Sequence, residues 1–143
     1  MAKFQQLLCQ LKEYPLMRRP ILDTSHIHPA IQRTIAEHQQ DIVREVQDAI
    51  VQHAVVVVGM AQNPVVKQAL KALQGVGLKV HYMEYGSYLS QWRKRNALKM
   101  WTGWPTFPMV FIHQTLVGGA KDVQALIDSG ELEPSLQRFP KPH

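Results

Sequence analysis

Val55-Val56-Val57-Val58-Gly59-Met60-Ala61-Gln62-Asn63-Pro64-Val65-Val66 is the stretch that decides the fold of this chain. Four consecutive valines, led in by Ala54, form a β-branched run of the kind that fills a strand buried on both faces. Asn63-Pro64 then opens a helix. Asparagine is a favoured N-cap, and proline suits the first helical position, where its missing N–H has no partner to lose. Val66, Leu70 and Leu73 mark the buried side of that helix, which Gly75 and Gly77 end. Leu78–Glu84 alternates well enough to be a second strand. A strand, a helix and a strand within about 30 residues make a βαβ unit, for which a right-handed crossover and parallel strands are expected.

Moving outward, Gly86-Ser87 predicts another helix with Ser87 as N-cap, carrying Leu89, Trp92, Leu98 and Trp101 and stopping near Thr102-Gly103. Trp104-Pro105-Thr106-Phe107-Pro108 follows, a stretch no helix can hold. Met109–Ile112 reads as a third strand and Thr115–Val117 as a fourth. His113-Gln114 between them makes an antiparallel hairpin the natural reading, although His-Gln is a weak turn signal. Gly118-Gly119 breaks the chain, and Ala120–Ser129 is a final helix closed by Gly130. Upstream, Ile31, Ile35, Ile42, Val46, Ala49 and Ile50 recur at helical spacing between Pro29 and His53, as one helix or as two broken near Gln39–Asp41. Before Pro29, the chain is interrupted by Pro15 and Pro20, with room for a short helix near Lys3–Glu13.

From Gln40 onward the order is helix, β, α, β, α, β, β, α. A parallel βαβ half joined through a helix to an antiparallel ββα half is an α/β arrangement of the thioredoxin type. The expectation is a four-stranded mixed sheet with flanking helices over residues 40–132, an N-terminal helical extension over 1–39 and a C-terminal tail over 133–143.

Composition narrows what such a domain can do. The chain has 143 residues, 45% of them hydrophobic and 19% charged, as in an ordinary globular protein. The valine run is far short of the roughly 20 apolar residues of a membrane span. No secretory signal is legible, which makes the cytoplasm the default expectation. The net charge of +5 draws on Arg18-Arg19 and on Arg93-Lys94-Arg95, read as a solvated helix face that permits an anionic partner without demanding one. No aromatic-interleaved or helix-turn-helix pattern points to nucleic acid. The single cysteine, Cys9, forms neither a CxxC pair nor a multi-cysteine metal site and reads as a structural thiol. His26 and His28 lack a carboxylate or cysteine to complete a metal site and read as loop histidines.

Over residues 40–132 the sequence resembles the glutaredoxins, on three features. Trp104-Pro105-Thr106-Phe107-Pro108 is similar to the W-P-T-[FY]-P of monothiol members, in which the second proline follows a cis bond. Gly118-Gly119-Ala120-Lys121-Asp122 is similar to their G-G-x-[DE]-[DE], with Lys121 where an acidic residue is common and Ala120 where many members carry cysteine. The third feature is a departure. Val55–Val66 aligns without gaps on a start of the type V-V-I-F-S-K-T-T-C-P-Y-C, which puts Asn63 on the nucleophilic cysteine, Val66 on the second cysteine and Met60 on the lysine that helps bind glutathione. The monothiol C-G-F-S is missing as well.

The resemblance implies a glutathione groove made by Thr106, Phe107, Pro108, Gly118, Gly119, Ala120, Lys121 and Asp122. Backbone groups there would pair with the tripeptide, and a helix N-terminus would receive its γ-glutamyl carboxylate. It also implies no catalytic residue, because thiol–disulfide exchange needs a thiolate and Asn63 carries an amide. The family's shared 2Fe–2S cluster uses the same cysteine, so no metal is expected. Asn63 reads instead as a helix cap. Three functions stay open: a non-catalytic domain binding glutathione, a thiol peptide or a protein; a glutathione-dependent oxidoreductase or iron–sulfur carrier, with a thiol from Cys9 or a partner; and an interaction scaffold or homodimer using Trp92, Trp101 and Trp104.

Overall fold

A computed structural model describes residues 19–132. The expectations for Lys3–Glu13, Cys9 and the 133–143 tail lie outside them. The chain divides into two units between Glu37 and His38.

In the first unit a 3-10 turn, Thr24–His26, is capped by Asp23, whose carboxylate accepts from Ser25 N at 2.9 Å. That backbone hydrogen bond holds the Asp23 carboxyl below its ordinary range. Helix α1, Pro29–Glu37, follows. Its first turn is tied by His28, whose Nδ1 accepts from Ala30 N at 3.0 Å, so His28 ends in a local backbone bond. Ile31 and Ile35 are exposed.

The second unit starts where the helical pattern breaks. Gln39 adopts φ 49, and α2 runs Gln40–Gln52 with Ile42, Val46, Ala49 and Ile50 buried. Spacings of four, three and one keep those residues on one stripe. Strand β1 is Val55–Gly59, α3 Pro64–Gly75 and β2 His81–Glu84. Helix α4 is Trp92–Thr102, β3 Met109–Ile112, β4 Thr115–Gly118 and α5 Ala120–Asp128. The sheet order is β2-β1-β3-β4. The β1–β2 pair is parallel, and β1–β3 and β3–β4 are antiparallel. The thioredoxin-type mixed sheet therefore stands as read from sequence.

The valine run works as a period-two element with both faces apolar. Val56 and Val58 pack with Ile42, Val46 and Leu98 on one face, whereas Val55 and Val57 pack with Ala69, Leu73 and Val123 on the other. The sheet is thus sandwiched between α2 with α4 and α3 with α5. The hairpin forms despite its weak signal: His113 and Gln114 both take positive φ, 46 and 69, as a two-residue I′ turn requires.

Two local readings are corrected. Strand β2 begins at His81, not Leu78. Helix α4 begins at Trp92 rather than after Ser87. The Ser87 hydroxyl accepts from Leu89 N and the Ser90 hydroxyl from Ser87 N, so these serines satisfy a turn of their own and leave Gln91 (φ 56) to lead into the helix.

At the end of the sheet where β1 and β2 begin, the His53 and His81 rings stack 3.9 Å apart. Burial, and then the charge on His53, lowers the His81 pKa below its ordinary 6.5. A histidine depressed by folding leaves stability intact above the unfolded pKa and removes it as pH falls through the folded pKa. Between about pH 7.5 and about pH 5, thermal melts should therefore lose more stability in the wild type than in His81→Gln. Parallel curves would show that the stack carries no such linkage. On β2 itself, burial pushes the Tyr82 phenol up to about 12, and its hydrogen bond to Glu84 (3.1 Å) adds to the shift. Burial, followed by the Glu45 carboxylate, raises the Tyr85 phenol.

Candidate functional site

Register brings the singled-out residues together. Val58 pairs with Met109, so the chain leaving β1 toward Asn63 and the chain arriving at β3 through Pro108 meet at one end of the sheet. Val110 pairs with Gly118, which puts Gly118-Gly119 at that same end. Three loops distant in sequence converge there because β1, β3 and β4 are adjacent in the sheet.

Asn63 is a cap. Its side-chain oxygen accepts from Val65 N at 2.9 Å and Val66 N at 3.2 Å, Pro64 takes the first helical position, and the residue is only 9% exposed. The amide thus satisfies two of the N–H groups that α3 would otherwise leave open. Val66 and Met60, aligned with the second cysteine and the lysine, are buried apolar residues.

The Phe107–Pro108 bond is cis. Phe107 and Pro108 are buried and Thr106 is exposed. Opposite, Gly118 has φ 108, and a β-carbon there would lie 2.6 Å from the Asp122 carboxylate. Gly119 N donates to that carboxylate at 2.9 Å. A β-carbon on Gly119 would stand 3.4 Å from Pro108 O and 3.8 Å from the Trp104 indole. Gly118 therefore leaves room for the Asp122 side chain to fold back over the turn, whereas a β-carbon at Gly119 would make only ordinary contact with Pro108 O and Trp104. The N–H groups of the first α5 turn have no intrahelical acceptor, and Asp122 engages that of Gly119. Ala120 is buried, and Lys121 and Asp122 are exposed at the rim.

Beside the Thr106–Pro108 segment the sequence reading missed Lys99 and the burial of the Trp104 indole N–H. Lys99 Nζ lies 5.7 Å from the Phe107 ring centroid. The signal was present, as a cation in the last turn of the helix that leads through Gly103 into Trp104–Pro108. Trp104, half-buried, keeps its indole N–H buried with no acceptor among the described residues. No one-dimensional pattern reports that.

The basic run also divides. Arg93 and Lys94 are exposed, but Arg95 is buried and its guanidinium donates to Tyr85 O (2.9 Å) and to Ser90 O. Of the three tryptophans offered as a surface, Trp92 is exposed, while Trp101 and Trp104 pack against the α2–α4 core.

The donor set does not suit an iron–sulfur cluster, which takes thiolates. At position 63 the chain offers an amide oxygen already bonded to two N–H groups, and no three His, Cys, Asp or Glu side chains converge among the described residues. Among the described residues, no helix is long and apolar enough to cross a membrane.

No protein-family model matches the chain. A "Glutaredoxin-like protein" of Dictyostelium discoideum is 42% identical over 108 residues, covering 76% of this chain and 88% of that protein. The holo form of glutaredoxin C1 from Populus tremula x tremuloides superposes with a TM-score of 0.63 at 23% identity, over 75% of this chain and 99% of that one. The buckwheat glutaredoxin–glutathione complex gives 0.63 at 24%, over 71% and 92%. At those identities the two structures speak for the fold. The fold, the converging loops and the Dictyostelium relative together mean that this chain belongs to the glutaredoxin family.

Proposed function

We propose that this member is a non-catalytic domain that binds glutathione or a thiol peptide. The observation that carries the reading is the Asn63 cap. At the position aligned with the family's nucleophile stands an amide that cannot attack a disulfide and whose oxygen is occupied by Val65 and Val66 N–H.

The groove supports the ligand half of the proposal. Backbone groups of Thr106–Pro108 would pair with the tripeptide as an added strand. The first α5 turn at Ala120 and Lys121 would take the γ-glutamyl carboxylate, and Asp122 would face the adjoining ammonium group. Lys99, beside Phe107, would balance the far carboxylate. The buckwheat relative is a glutathione complex, and that ligand is transferred here as a proposal. Glutathione-dependent oxidoreductase activity or cluster transfer would require a thiol from Cys9 or a partner, and the described residues supply none.

Calorimetric titration of reduced glutathione tests the reading. Binding should appear in the wild type and weaken at least tenfold in Asp122→Ala, a loss of about 1.4 kcal/mol. Absence of heat at about 10 mM ligand would leave only the fold inherited.

A further inference from the structure

Between Glu84 and Asp122 the chain contains no acidic residue, while Arg93, Lys94, Arg95, Lys99 and Lys121 are all cationic. Where that acid-free segment leaves the sheet, it exposes three large apolar groups within five residues: Tyr88 at 63%, Leu89 at 96% and Trp92 at 55%. Such a cluster on a folded domain marks a contact surface more often than a scattered exposed residue does.

The loop beneath them is built, not slack. Arg95, itself 7% exposed, reaches back from α4 and donates to Tyr85 O and Ser90 O, gripping both ends of the loop. Ser87 and Ser90 close its interior through Ser87 N to Ser90 Oγ (3.0 Å), and Ser90 N bonds to Ser87 O. A buried guanidinium used to fix a backbone whose tip holds an apolar side chain in water lowers the ordering cost of any contact made there. Beside the tip, the Arg93 guanidinium lies 5.3 Å from the Trp92 ring centroid. An open depression of about 230 Å³ lies between Gln39, Gln91, Trp92, Arg93 and Lys94. Its volume falls below the 300–1,000 Å³ typical of small-molecule pockets and suits one side chain.

We propose that the loop around Tyr88 and Leu89 and the first turn of α4 dock an acidic peptide segment of a partner protein, which seats one apolar side chain beside Trp92 and sets its carboxylates against Arg93 and Lys94. Charge fixes the sign of the partner, and aromatic and arginine side chains are those enriched at protein–protein contacts. The exposed cations of the patch, Arg93 and Lys94, are too few for an anionic bilayer, where polybasic anchors use about four to eight. This surface is separate from the glutathione groove. Trp92 and Lys99–Thr102 stand at opposite ends of an 11-residue helix, about 16 Å long.

The test is peptide selection on the full chain. Random peptides of about twelve residues displayed on phage are panned against immobilised protein, and the winners are synthesised and measured by fluorescence anisotropy. The expected pool is net acidic with one large apolar residue. Its affinity should fall at least tenfold in both Leu89→Ser and Arg93→Glu/Lys94→Glu, and several-fold between about 50 and about 300 mM NaCl. Both variants change exposed side chains, so their melts and glutathione titrations should match the wild type, which separates this proposal from the groove. A neutral or basic pool, no binders, or binders indifferent to both variants would overturn it. So would two alternative readouts: flotation with vesicles of about 30% phosphatidylserine that Leu89→Ser abolishes, or a homodimer that Leu89→Ser dissociates.

Discussion

In a Cys9→Ser background, Asn63→Cys is expected to form a mixed disulfide with glutathione on incubation with oxidised glutathione, while the Cys9→Ser parent forms none. In that exchange the new thiolate attacks one sulfur of the disulfide and the other leaves as glutathione thiolate, so two electrons are neither gained nor lost overall. The setting favours the thiolate. Val65 N and Val66 N, which now bond the amide oxygen, sit at a helix N-terminus whose partial positive charge lowers a thiol's pKa. Met60 stands where the resemblance places a lysine, so the gain should be slower below neutral pH than above it. The substitution also removes a cap, at about 1 kcal/mol, which lowers the melting temperature by about 2–4 °C. Intact-mass spectrometry reads the adduct and differential scanning calorimetry reads the cap. A folded variant with no adduct would mean that the α3 N-terminus does not receive a glutathione sulfur, and the groove assignment would fall with it.

The second large effect is on the turn between β4 and α5. Gly118→Val should cost about 3 kcal/mol and lower the melting temperature by about 10 °C. Three constraints act at once. The residue holds φ 108, a conformation that a β-branched side chain resists. Its β-carbon would overlap the Asp122 carboxylate at 2.6 Å. Pairing with Val110 stops the strand from moving away. Adding Asp122→Ala should recover part of the loss by removing the carboxylate, while the residue 122 β-carbon at 2.8 Å and the backbone strain remain, so the two substitutions will not be additive. Gly75→Ala is the control: φ there is not positive, nothing lies within 4 Å of an added β-carbon, and the change should stay within about 1 kcal/mol. Equal melts for Gly118→Val and Gly75→Ala would refute the account.

The sequence alone determined the elements whose signals are local. Four valines make a strand by β-branching, and Asn63-Pro64 starts a helix because one residue supplies an acceptor and the next needs no donor. Both are decided within a few residues, and both appear in the structure. The order of elements then left few topologies, because crossovers and hairpins obey handedness and length rules.

Tertiary structure decided what depends on contact across the chain. Arg93, Lys94 and Arg95 look alike in sequence, yet only Arg95 finds Tyr85 O and Ser90 O and is buried to hold a loop. Ser87 has the chemistry of a helix cap, but Leu89 N lies nearer than the helix and takes its hydroxyl. Trp101 and Trp104 pack on the core that α2 and α4 build, while Trp92, at the start of the same helix, faces water. The convergence of Asn63, Pro108 and Gly119 follows from the adjacency of β1, β3 and β4, since hydrogen-bond registry between distant strands is a property of the folded sheet and of no segment by itself.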